Sequence, residues 1–457
     1  MMSIFSVHGI SRRATHNVAP ATTTAPVKAG QESIWTHKIL LVSAILIILL
    51  GAILSVPSWI WDIQNVHPSE NLILGTDTDL CLIIGGVSSV HTVAETERWW
   101  HGTWAGQVPF WRPLTSLVFW GEHKLFGQQF GYWLQVSVVL QLIICGLFLL
   151  FTSRLTRSIW FGLAATFYFT AWRMPIQVGM SEFLTPAPAS IATQSPKDQP
   201  ELLVSAFVLL ALITALSRKW GWVILAGAIA TCFKESGWLT FPLVLSLIIW
   251  RDGARSIWTI PTKWWLALGL TVTILIVARV AAGPEVFWGY RLGDNKAWLL
   301  RFINALGYFP LNNLLMPVNA GSVLLSIAGL IAISRLQRMA KLSLASTTLI
   351  LAIAVHMLLN QEGGFEVALT QLLALNWHIA VVSIPHLVPI IALAQCRQNW
   401  RLALLFGGMM ILSALPYAAA SQVTRHALFM MYLFQSALVV VAWRSVLNKK
   451  SRVSYEI

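Results

Sequence analysis

Two aspartates stand two residues apart, Asp77 and Asp79, in a polar stretch that runs from Thr76 to about residue 131. Alternate residues of an extended segment project to the same side, so both carboxylates can face one cavity. A carboxylate so placed serves as a general base or a metal ligand; the plainer alternatives are a helix cap and a solvated loop acid. Glu95 and Glu97 follow on a helix-like run. His91 and Glu95 are four residues apart, a spacing that fits a metal pair and fits a surface pair better. Glu122 and His123 sit in an amphipathic aromatic run suited to a membrane interface.

The cations form a second set. Arg112 lies between Trp111 and Pro113, and its guanidinium suits bidentate contact with phosphate. Lys234 and Glu235 occupy the tip of a hairpin between two apolar runs, where charge is costly unless it is paired or functional. Arg425 and His426 open the last apolar run. Arg112, Lys234 and Arg425 together suit an anionic lipid headgroup such as a polyprenyl phosphate; the alternative for each alone is interfacial anchoring.

These residues are held by a chain built for lipid. Of 457 residues, 56% are hydrophobic and 11% charged, with a mean hydropathy of +0.69. That composition points to an all-α, polytopic membrane helix bundle. Many of the 23 Trp end apolar runs, where indole rings favour the headgroup layer. Residues 1–37 read as a disordered cytoplasmic tail and 446–457 as a second one. Between them, 38–445 carries about twelve spans, near 39–56, 132–151, 159–175, 202–216, 222–233, 238–250, 264–281, 323–333, 344–359, 378–395, 402–417 and 427–443. The loops 57–131, 176–201 and 283–320 are long and polar, and amphipathic juxtamembrane helices are expected in the first.

Charge tests the topology. With the N-terminus inside and twelve crossings, the inner side collects 20 of the 31 Lys and Arg but only Glu32, Asp252 and Glu456 of the 18 acids. This is the positive-inside pattern, and it accounts for the net charge of +13 without nucleic acid. Both termini are then cytoplasmic and the polar loops with Asp77 and Asp79 face outward. The four cysteines show neither CxxC nor metal spacing, so buried thiols are expected.

The order of motifs resembles a known family. An Asp pair follows the first span; then come WRPLTSL, an aromatic run ending LFG, FGYWLQVSVVLQL, FKESGWLTFP at a hairpin turn and TRHALFMMYLFQSAL at the last span. This order is similar to that of the GT-C glycosyltransferase superfamily, in particular the protein O-mannosyltransferases and their bacterial relatives with Tyr-Arg-Pro-Leu and Lys-Glu motifs. Two departures are visible: Thr78 separates the two acids, and Trp111 stands where the family has Tyr. The resemblance implies transfer of a sugar from a polyprenyl-phosphate donor to a glycan, lipid or protein acceptor, at the outer face of a bacterial cytoplasmic membrane. It implies Asp77 or Asp79 as base or metal ligand, which leaves room for a divalent metal. It assigns Arg112, Lys234 and Arg425 to the lipid phosphate, with Glu235 and His426 in support.

Two other classes compete. A transporter or flippase places charges inside several spans and often repeats its halves; here Arg279 and His356 lie near span ends, and Pro385 and Pro389 flank His386. A polysaccharide polymerase or ligase of another membrane fold shares the spans and does not need the early Asp pair.

Overall fold

The computed structural model describes residues 78–106, 108, 110–171, 196–283, 399–419 and 429–448, with isolated positions between 41 and 49. The described part is all helical, with no strand; Trp104 and Val108 form an isolated bridge. Numbered in chain order, its helices are α1 (Thr78–Ser88), α2 (Pro113–Phe126), α3 (Phe130–Thr156), α4 (Ile159–Ala171), α5 (Gln199–Leu216), α6 (Trp220–Phe233), α7 (Thr240–Asp252), α8 (Thr262–Ala281), α9 (Trp400–Ala419) and α10 (Phe429–Asn448).

Among the described residues, three stretches are long and apolar enough to cross a membrane: Gly131–Thr156, Pro196–Leu216 and Thr262–Ala281. They coincide with the second, fourth and seventh expected spans. The third, fifth, sixth, eleventh and twelfth fall on α4, α6, α7, α9 and α10. The eighth to tenth, and nearly all of the first, lie outside the described residues. The first long loop carries α1, a 3-10 turn at Ala94–Trp99 and α2. At 14 residues, α2 is shorter than the ~20 that a membrane-spanning helix needs.

The packing is sequential. Helix α5 lies against α3 and α6, α3 against α4, and α10 against α9 and α4. Aromatic contacts tie the largely aliphatic core together: Phe148 and Phe169 meet edge to face, as do Phe169 and Phe429, and Phe161 stacks on Phe406. A second core joins α1, α2 and the start of α3 through Ile83, Val87, Trp104, Phe119 and Trp133. There α1 and the 100–110 segment approach so closely that a Cβ on Gly86 would meet the Ala105 carbonyl oxygen at 1.8 Å. Cys145 and Cys232 are free and buried, as expected.

Hydrogen bonds and ion pairs fix the direction of these helices. Gln199 Nε2 at the start of α5 donates to the Trp133 carbonyl near the start of α3, at 2.9 Å. Glu201 on α5 meets Lys234, just past the end of α6. At the far end, Arg251 Nη1 of α7 donates to the Leu216 carbonyl at 2.8 Å, and Trp250 Nε1 donates to the Arg401 carbonyl of α9 at 2.6 Å. The bundle thus has a Lys234 end and a Lys219 end. The 14 residues of α6 separate them by about 20 Å, at 1.5 Å of rise per residue.

Candidate functional site

At the Lys234 end the site begins with how two helices stop and start. Helix α6 ends at Phe233 because Lys234 is extended, with φ −162° and ψ 156°. The 3-10 turn Glu235–Leu239 follows, and Thr240 Oγ1 caps it by donating to the Gly237 carbonyl at 2.7 Å. Gly237 presses on α6, where a Cβ would lie 2.2 Å from the Ala230 carbonyl carbon. Across from this turn Arg112 precedes α2, and Pro113 takes the first helical position, where its missing N–H costs nothing. Thr115 Oγ1 donates to the Phe233 carbonyl at 2.6 Å, tying α2 to the end of α6.

Four charges meet here. Arg112 Nη2 and Nε donate to Glu235 Oε2 at 2.9 and 3.2 Å, and Lys234 Nζ pairs with Glu201. All four side chains are buried or nearly so. The Arg112 guanidinium also rests on two rings, 4.5 Å from the Trp104 centroid and 4.4 Å from that of Phe110. Burial pushes the Glu235 pKa up, but Arg112 outweighs it and holds the carboxyl below its ordinary value. Arg279, near the end of α8, adds its positive field to the same carboxylate. No described side chain forms a hydrogen bond or ion pair with Arg279. Among the described residues the cluster thus holds three cations, Arg112, Lys234 and Arg279, and two carboxylates, Glu201 and Glu235.

The structure therefore brings Arg112, Lys234 and Glu235 together and adds two residues that sequence reasoning missed, Glu201 and Arg279. A signal for Glu201 was present: Ser217–Lys219 is a tight turn between two apolar runs, and Glu201 and Lys234 lie nearly equidistant from it. Asp79 is in the first turn of α1, which begins at Thr78, so it belongs to a helix and not to an extended segment. Asp77, Arg425 and His426 lie outside the described residues. Glu95 spends its carboxylate on its own turn, accepting from the His91 N–H at 3.0 Å and Thr92 Oγ1 at 2.9 Å. No group of three or more metal-ligating side chains occurs among the described residues.

A lone carboxyl lies nearby. Glu122 is on the buried face of α2 with Thr115, Ser116 and Phe119, and among the described residues its oxygens form no well-aligned hydrogen bond, although the Gln199 side chain lies close enough to act on them. Burial pushes its pKa from 4.5 to about 8, with Gln199 pulling part of the way back. At neutral pH it is mostly protonated.

No protein-family model, curated protein or solved structure matches the chain.

Proposed function

We propose that this chain is a multi-pass glycosyltransferase of the GT-C type. In this reading it crosses the bacterial cytoplasmic membrane about twelve times, with both ends inside, and moves a sugar from a polyprenyl phosphate to an acceptor at the outer face. One observation carries the proposal. The WRPL and FKES segments, 123 residues apart at the Arg112–Glu235 contact, converge in one buried charge cluster.

The chemistry asks for few groups. The acceptor hydroxyl oxygen attacks the sugar's anomeric carbon while the bond from that carbon to the phosphate oxygen breaks. The hydroxyl proton passes to Asp77 or Asp79, and the electron pair of the broken bond leaves with the phosphate. Cations near the leaving group lower the barrier. Among the described residues of the cluster, Arg279 is a cation that no carboxylate pairs with in a hydrogen bond or ion pair. Arg112 and Lys234 are already matched by carboxylates, so a donor phosphate competes with Glu235 for Arg112. A donor bound there frees Glu235 to turn toward the acceptor.

A second reading, proton-linked transport of a lipid or solute, draws on Glu122, a buried carboxyl that changes charge near neutral pH. The deciding measurement is release of sugar from a radiolabelled polyprenyl-phosphate sugar by purified protein, alongside the Asp77→Asn and Asp79→Asn variants. Loss of the base lowers turnover about 10²–10⁴-fold. If both variants keep near-normal turnover, or the unaltered protein releases no sugar, the transferase reading fails.

A further inference from the structure

At the Lys219 end the bundle opens into a cavity of about 640 Å³, room for roughly twenty waters at ~30 Å³ each. Five cations from four separate segments line it. Arg154 comes from the last turn of α3, Arg157 from the α3–α4 turn, Lys219 from the α5–α6 turn, Arg251 from the end of α7 and Arg401 from the start of α9. No carboxylate lines it among the described residues.

Arg251 belongs to the frame. Its Nη1 donates to the carbonyls of Ala215 and Leu216 at 3.4 and 2.8 Å, and its Nε and Nη2 hold Asp252 at 3.0 and 2.7 Å. Asp252, also met by Arg218 at 3.2 Å, is thereby occupied. The side chains of the other four cations form no hydrogen bond or ion pair among the described residues. Like charges around one concavity repel, and a loose surface would let them spread. Here the backbone that carries them is fixed. Arg157 is set by a left-handed backbone at φ 53°, Lys219 by a turn in which its N–H donates to the Thr214 carbonyl at 3.0 Å, and Arg401 by its carbonyl's bond to Trp250.

An anion with several oxygens relieves that repulsion, and phosphate matches it because guanidinium groups engage its oxygens in pairs. Beside the cavity, an apolar groove of about 330 Å³ runs between α6, α7 and α8, with Trp220, Phe241, Ile248 and Trp264 in its walls. Trp220 follows Lys219 directly, so an alkyl-lined surface adjoins the cationic one.

We propose that this cavity binds a phosphoryl-bearing anion through Arg154, Arg157, Lys219 and Arg401, and that the groove alongside favours a phospholipid headgroup as its source. Basic pockets between helices suit such headgroups. Assignment to the inner leaflet rests on the topology proposed above; the binding itself depends on neither that topology nor sugar transfer.

The test uses the full chain in detergent, with two probes. Native mass spectrometry measures retention of diphosphatidylglycerol against phosphatidylcholine, and calorimetry measures binding of inorganic pyrophosphate. We expect the anionic lipid to be retained preferentially. Lys219→Gln and Arg401→Gln should each weaken it about tenfold or more, and R154Q/K219Q/R401Q should abolish the preference. Arg255→Gln, exposed at the same end and outside the cavity wall, should leave it unchanged. These cations are exposed or at the rim, so the replacements spare the core; if the triple variant does not fold, the two single variants carry the same comparison. Pyrophosphate binding that the same variants weaken, without lipid preference, supports the phosphoryl site and assigns it a soluble ligand. The proposal is overturned if neither probe binds selectively, or if Arg255→Gln weakens binding as much as Arg401→Gln.

Discussion

At the Lys234 end of the bundle, Arg112 and Lys234 are 5% and 6% exposed, and each ends on a carboxylate from another segment. At the Lys219 end, Arg154, Arg157, Lys219 and Arg401 are exposed or at the rim, and their side chains meet no carboxylate among the described residues. The difference follows from solvent. A buried charge must be compensated within the protein, because desolvating it alone costs several kcal/mol or more. Charges at a wet rim are screened by water and salt, so they can be left in excess for a ligand. One end thus spends its charges on holding α2, α5 and α6 together, while the other keeps them available.

The comparison can be broken most sharply at the level of sidedness, where the effect is all or none. With the native cysteines replaced, Thr78→Cys and Lys219→Cys should differ completely toward an impermeant maleimide in intact cells. Cys at 78 should react and Cys at 219 should not. Labelling of 219 with protection of 78 reverses the proposed topology.

Pairing predicts the next largest effect. Lys234→Met should destabilise the protein by about 3–5 kcal/mol, since it removes the cation paired with buried Glu201. Adding Glu201→Leu should recover most of that loss, because a well-packed apolar pair is often neutral in place of a buried ion pair. Denaturation of the single and double variants gives the coupling; a double variant no more stable than Lys234→Met removes the paired-charge account.

Glu122 sharpens the same contrast through pH. Its folded pKa is raised, so its contribution to stability is whole below about 4.5, declines as pH rises and is lost above about 8. Glu122→Gln cannot ionise. It should gain stability relative to the parent across that window, by ~1–3 kcal/mol, and show no gain at the acid end. Parallel stability curves for the two proteins would mean that Glu122 is not held neutral.

The smallest effect belongs to the Lys219 end. Arg157→Gln removes a cation of the same type from an exposed position and should change stability by no more than about 0.5 kcal/mol. A loss comparable to that of Lys234→Met would show that this charge, too, is structural.

Several of these features were legible before any coordinates. Hydropathy marked the three long apolar helices, and the turn residues Ser217–Lys219 and Lys234–Ser236 marked the hairpins around α6. The positive-inside bias placed Arg154, Arg157, Lys219, Arg251 and Arg401 on one side, and all five line one cavity. The partners of Arg112 and Lys234 were not legible from spacing. By sequence Glu235 reads as a supporting residue and Glu201 falls in the 176–201 loop, yet they pair with cations 123 and 33 residues away.

The physical division is between local and non-local terms. Apolar content, turn chemistry and charge bias are properties of short windows, so the chain alone determined a helical, lipid-suited architecture and which cations share an end. Ion pairing and burial depend on which helix faces meet. Only packing decided that Arg112 lies on Trp104 and Phe110 against Glu235, that Arg279 reaches the same carboxylate, and that Glu122 turns inward with Phe119. An amphipathic run fixes which face of α2 is apolar only within a residue or two. A carboxyl at the edge of that face is solvated or buried according to whether the neighbouring helix closes over it.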